Sequence, residues 1–232
     1  MRLIFISLFS VLFFSCGGSN NQSSQTVAKD TTSVALRTLK GMVTSGDLVV
    51  RLTDEFISYQ VRAVNEQDKT YSHAGLVIEH NHQKYIAHIS PDYVLADTIE
   101  YLPIDSFLNP VKTVSCALYR YNLSAVERDS LTNFIGRLKN DGVCFDRLYD
   151  LNTDSVMYCS EMISKALKSA TNGRINCKLS TVPSSMRKLI RAYFKGTLPM
   201  DTIVNRKIMT IDNLYLRPDC SLLSKVNLKK SP

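Results

Sequence analysis

The strongest helical periodicity in the chain lies over residues 124–139 (SAVERDSLTNFIGRLK), where Val126, Leu131, Phe134, Ile135 and Leu138 form one stripe. Ser124 stands at the N-cap and Glu127 at the capping-box position three residues on. Residues 159–170 (CSEMISKALKSA) repeat the pattern with Met162, Ile163, Ala166 and Leu167 on one face, after a β-rich Val156-Met157-Tyr158. Residues 32–43 predict a short helix behind a Thr-Ser cap, with Val34, Leu36, Leu39 and Met42 near helical spacing, and Gly41 and Gly46 bracket a turn after it. Residues 47–52 (DLVVRL) read as a strand, and residues 54–64 as a helix whose apolar positions are Phe56, Ile57, Val61 and Val64. Two short apolar runs, 72–79 and 84–89, enclose Glu79-His80-Asn81-His82-Gln83 and have the composition of a β-hairpin. Residues 93–96 and 111–119 are further strand candidates, and beyond Asn172 the pattern assigns no element. Strands and helices without a regular βαβ repeat predict one α+β domain, an antiparallel sheet packed against helices.

All four histidines, His73, His80, His82 and His88, fall on or beside the hairpin. A two-residue Asn81-His82 turn makes opposing residue numbers sum to 163, which puts His73 diagonally from His88 on the same face, within side-chain reach. His73 is then either a core histidine satisfied by backbone or half of a functional pair. His80 and His82, two apart, suggest metal at first sight. In a turn they splay, no carboxylate stands at ligand spacing, and exposed loop residues is the simpler reading.

The first sixteen residues differ from the rest. Met1-Arg2 is a short basic start, residues 3–14 are an unbroken run of apolar and small residues, and Ser15-Cys16-Gly17 closes it. The run is too short for a spanning helix, which needs about 20 residues, and predicts a cleaved export signal over 1–15. The Ser15-Cys16-Gly17 ending resembles a bacterial lipobox, in which the cysteine is diacylated and becomes the new N-terminus. Cys16 is therefore the expected lipidation site, and residues 16–32, rich in Ser, Asn, Gln and Gly, a flexible tether ahead of a domain over 33–232. The expected location is the bacterial envelope, lipid-anchored to the outer membrane and facing the periplasm.

Composition narrows the function classes. The chain has 232 residues, 44% of them hydrophobic, enough for a sizeable core. Its 28 basic against 21 acidic residues give +7, but they are scattered and form no tract, so nucleic acid is not an expected partner. No glycine-rich phosphate loop or nucleotide fingerprint occurs, and no cofactor is expected.

Apart from Cys16 the cysteines are Cys116, Cys144, Cys159, Cys177 and Cys220, an odd number without Cys-x-x-Cys spacing. Cys159 stands out at the junction of an extended segment and a helix start, where amide hydrogens and the helix dipole favour a thiolate. A cysteine there with a histidine on an adjoining strand is what nucleophilic thiol catalysis requires, and a buried structural thiol is the other reading. Glu161, in the first turn, suits the helix dipole, and Asp146 with Asp150 reads as a solvated or structural pair.

Gly46-Asp47-Leu48-Val49, Tyr71-Ser72-His73-Ala74-Gly75-Leu76-Val77 and Tyr158-Cys159-Ser160-Glu161-Met162 together resemble the permuted, YiiX-like branch of the NlpC-type papain-like superfamily. There the histidine strand precedes the nucleophile helix, an order that His73 and Cys159 obey. Phe145-Asp146 and the late Thr210-Ile211-Asp212-Asn213-Leu214-Tyr215 segment support the resemblance, which spans nearly all of residues 46–226. It implies a circularly permuted papain-like fold, Cys159 as nucleophile, His73 as general base and His88 as the third residue, accepting from His73. Many relatives carry Glu at that third position, whereas His resembles the lecithin retinol acyltransferase-like members. The expected activity is a membrane-tethered cysteine hydrolase, an amidase or endopeptidase acting on cell-wall peptides. A fatty-acyl hydrolase or acyltransferase on the same residues, and a binding module without turnover, are the alternatives.

Overall fold

The structure, a computed structural model, describes residues 21–91, 97–196, 199, 202 and 205–229, with side chains from residue 32 onward. The export signal, Cys16 and the strand candidate at 93–96 lie outside the described residues.

In chain order the strands are β1 (Leu48–Thr53), β2 (His73–His80), β3 (Gln83–His88), β4 (Glu100–Pro103), β5 (Thr113–Tyr121), β6 (Cys144–Phe145), β7 (Val156–Met157), β8 (Ser180–Thr181), β9 (Lys207–Ile208) and β10 (Cys220–Asn227). The helices are α1 (Asn21–Met42), α2 (Phe56–Ala63), α3 (Ile104–Phe107), α4 (Ala125–Asn140), α5 (Cys159–Ala170), α6 (Arg187–Tyr193) and α7 (Asp212–Tyr215). One six-stranded antiparallel sheet, ordered β10-β5-β1-β2-β3-β4, organises the fold. The α+β reading holds at this level.

Strand alternation divides the core in two. Leu48, Val50, Leu76, Ile78 and Ala87 face the layer built from α4, α5 and α7. Val49, Val77, Ile86, Cys116 and Leu118 face α1, through Leu36 and Leu39, Val43 just after it, and α3, through Phe107. Each large aliphatic side chain buried in this way stabilises by about 1.5–3 kcal/mol. Because helices cover both faces, β1 needs the near-continuous apolar run it has.

The hairpin matches its expected geometry. Asn81 (φ 50°) and His82 (φ 59°) form the two-residue turn with both residues left-handed, and Leu76↔Ala87 and Val77↔Ile86 keep the expected register. Ahead of β1, Gly46 takes φ 89°, and its amide donates to Val77 O at 2.8 Å. A Cβ there would lie 3.0 Å from Arg128 Cγ, so glycine serves both the turn and the close approach.

Three helix readings need correction. The first helix begins at Asn21, inside the expected tether, so residues 21–32 are helical. Once Leu36, Leu39 and Val43 dock on the sheet, extending the existing helix costs far less than nucleating one. Its exposed Val34 sits about 160° around the helix from Leu36, and Met42 is also exposed. In α2 the expected apolar positions Phe56 and Ile57 are 77% and 53% exposed, and Ser58 is the buried residue. In α4 Leu131, Ile135 and Leu138 are buried as expected, while Val126 in the first turn is exposed. The Ser124–Glu127 capping box forms as expected.

Candidate active site

Cys159 opens α5 because Val156–Met157 is held extended by its parallel pairing with Cys144–Phe145, and Tyr158 stays extended at the N-cap. Glu161 closes the first turn: its Oε2 accepts the Tyr158 amide at 3.3 Å and its Oε1 pairs with Lys165 at 2.8 Å. Burial raises the Glu161 carboxyl to about 7 against the pull of Lys165. Its role is a buried cap and ion pair, beyond the dipole pairing expected. The C-terminal segment braces the same turn, with the Met209 amide donating to Tyr158 Oη at 2.7 Å and Ser160 Oγ donating to Met209 O at 2.7 Å.

Met162, Ile163, Ala166 and Leu167 are fully buried as α5 packs on β2. This packing puts Cys159 against the same core layer as Ala74, the residue after His73. The amides of Ser160, Ala74 and Cys159 and the Ser160 hydroxyl pull the thiol down, but burial outweighs them and raises it above its ordinary value. Cys159 therefore rests as a thiol, where a thiolate was expected from the helix start alone. Desolvation disfavours the charged form more than the aligned amides favour it.

His73 is half-buried and stands opposite Arg51 of β1. Its Nδ1 lies 2.7 Å from Ser72 Oγ and 3.3 Å from Ser58 Oγ. His88, only 3% exposed, shares its face as expected, with ring centroids 6.1 Å apart. Among the described residues no hydrogen bond joins the two rings, and His88 Nε2 is buried without a partner. The described hydrogen bonds also include none between Cys159 and His73. Phe107 separates two basic groups: its ring meets His88 edge-on at 5.2 Å and carries the Arg51 guanidinium at 4.3 Å, which also donates to Phe107 O. Burial, then the Arg51 charge, pushes His73 down to about 3. Burial, His73 and Arg51 hold His88 well below the usual histidine value. Both imidazoles are neutral at pH 7, so the resting pair is thiol and imidazole.

These shifts make stability depend on pH. An unfolded histidine takes up a proton near pH 6.5, whereas native His73 does so only near 3. Between those values the unfolded chain binds more protons, so these histidines lower stability as pH falls. Glu161, raised to about 7, acts in the opposite sense over the upper part of this window. Replacing His73 and His88 together by Gln isolates the histidine contribution: the variant should lose less stability than wild type in urea unfolding between pH 7 and pH 5. Equal losses in the two proteins would contradict histidines held neutral by the fold.

The other sequence candidates lie apart from this centre. His80 and His82 are exposed at the hairpin end, with His80 against the Tyr101 ring at 5.4 Å. Asp146 is a loop-folding residue whose carboxylate accepts the Leu148 and Asp150 amides, and Asp150 pairs with Arg206 at 3.5 Å. The late Thr210–Tyr215 motif is structural. Asp212 Oδ2 accepts the amides of Gln67 at 2.7 Å and Asp68 at 3.2 Å, and Asn65 Oδ1 accepts the Ile211 amide at 3.2 Å. The motif thus ties the loop before β2 to the segment bracing α5. Arg51 and Ser58 were not legible as site residues, because neither sits in a motif and each reaches His73 only through tertiary packing.

No family model and no curated protein matches the chain. Among solved structures it is similar to the metalloprotein YiiX from Escherichia coli O157:H7, described as DUF1105, with a TM-score of 0.62 at 14% identity over 82% of this chain and 98% of that one. The likeness is one of fold. Among the described residues no group of three or more His, Cys, Asp or Glu side chains is placed to hold a metal ion, and the Arg51 cation lies beside the His73–His88 pair, so the residues present do not fit a metal site. Among the described residues, no helix is long and apolar enough to cross a membrane.

Proposed function

We propose that this chain is a cysteine hydrolase of the bacterial envelope that cleaves an amide in a peptide, with cell-wall peptides as the substrate class. The observation that carries the reading is that Cys159 opens α5, which packs on β2, the strand that begins with His73, with His73 neutral and able to accept a proton. His73 takes the thiol proton as sulfur attacks the carbonyl carbon, then returns it to the leaving amine as the C–N bond breaks. Water next attacks the thioester, giving its proton to His73 and releasing the acid and the thiol. The Cys159 and Ala74 amides, which favour the ionised sulfur, are the donors at hand for the oxyanion. The YiiX-like fold supports the permuted papain-like assignment.

Mass-shift capture tests this directly. Incubation with a mixed extract of peptidoglycan fragments and phospholipid should leave a peptide acyl adduct on Cys159, absent from Cys159→Ala. A fatty-acyl adduct would move the assignment to the acyltransferase-like reading, which the exposed Phe56 and Ile57 beside Ser58 favour as an apolar surface near the site. No adduct from either pool would leave a binding module.

We also propose that Cys16 is lipidated and anchors the domain to the membrane. Growth with labelled palmitate should mark the full chain, and Cys16→Ala should lose both label and membrane retention. A soluble, cleaved, unlabelled wild-type protein would replace the anchor with ordinary secretion.

A further inference from the structure

A neutral imidazole carries its hydrogen on one nitrogen only, and the groups around His73 decide which. Nδ1 faces two hydroxyls, Ser72 Oγ at 2.7 Å and Ser58 Oγ at 3.3 Å. Each hydroxyl has another acceptor for its own hydrogen. Ser72 Oγ donates to Arg51 O at 3.5 Å. Ser58 Oγ stands 2.5 Å from Thr53 Oγ1, which donates to Glu55 Oε2 at 3.4 Å. An ionised carboxylate only accepts, so this chain has a single self-consistent direction: Thr53 donates to Glu55, Ser58 to Thr53, and His73 Nδ1–H to Ser58. Ser58 is 0% and Thr53 2% exposed, so water does not compete within the chain.

We infer that Ser58 and Ser72 are positioning residues that hold His73 as its Nδ1–H tautomer with Nε2 as the basic nitrogen, the Thr53–Glu55 pair completing the relay. They take the role that the family resemblance gave to His88, which makes no hydrogen bond to His73. When His73 becomes protonated during turnover, the Nδ1–H bonds persist. Only this catalytic consequence rests on the proposed function. The tautomer does not.

Nitrogen NMR of the full chain carrying labelled imidazoles reads the tautomer without any substrate. Wild-type His73 should show a protonated Nδ1 and an unprotonated Nε2 at neutral pH. Ser58→Ala and Ser72→Ala combined should make Nε2–H the major form, each single variant should give a mixture, and His88→Gln should leave His73 unchanged. His73 found as Nε2–H in wild type, or a tautomer that follows His88 and ignores the two serines, would overturn the inference. The wild-type spectrum decides the tautomer even if a variant does not fold. A correct tautomer with no acyl adduct on Cys159 would sink the hydrolase reading alone, and an adduct with the wrong tautomer would sink the relay alone.

Discussion

His73→Ala is expected to lower turnover of whichever substrate acylates Cys159 by about two to four powers of ten, the usual contribution of a positioned general base. The size follows from the resting state. Cys159 is held as a thiol by burial, so attack requires a base to remove its proton, and His73 is neutral and able to take it. An enzyme resting as a thiolate–imidazolium pair would have its nucleophile already formed. His88→Ala should cost much less, because His88 makes no hydrogen bond to His73 and its Nε2 is buried without a partner among the described residues. His80→Ala and His82→Ala, at the far end of the hairpin, should be nearly silent. Steady-state turnover of the four variants beside wild type checks the order. Loss at His80 or His82 equal to that at His73, together with inhibition by a chelator, would replace thiol chemistry with a metal site.

Gly75→Ala should destabilise the fold by about 1–3 kcal/mol, the range for forcing atoms into a packed core. A Cβ at this position would lie 2.3 Å from Ile86 Cγ2, 3.1 Å from the Ala87 carbonyl oxygen and 3.6 Å from the Phe107 ring. Ile86 is fully buried between β2 and the α1–α3 layer, and the carbonyl belongs to strand backbone, so relief requires β3 to move away from β2. That shift would carry His88 and Phe107 with it and disturb the site. Urea unfolding of the variant measures the cost, and an unchanged midpoint would show that the hairpin accommodates the methyl.

The hairpin shows how far local rules reach. Two residues able to take left-handed conformations, flanked by apolar runs, fixed the turn, the turn fixed the register, and the register put His73 and His88 on one face. The start of α5 was equally legible, since a β-branched and aromatic run passes directly into a helical stripe. Other features escaped. The residues that dock proved to be Leu36 and Leu39 on α1 and Val43 just after it, because the face that docks is selected by the sheet beneath it. The buried residue of α2 is a serine, while Phe56 and Ile57 point outward, an arrangement no hydrophobic periodicity suggests.

The chain's own order of residues determined most elements before Asn172, the hairpin register, the turn glycine and the motif cysteine and histidine, because each depends on neighbours a few positions away. The protonation of those groups was decided only by tertiary structure. Desolvation beneath α5 raises the Cys159 thiol against the amides that favour its ionisation, and the approach of Arg51 adds to the burial that lowers His73. Likewise the partners of His73 Nδ1 include Ser58 and, through it, Thr53 and Glu55, which arrive from β1 and the start of α2. Distances across elements and exclusion of water set these properties, and neither is written in local sequence pattern.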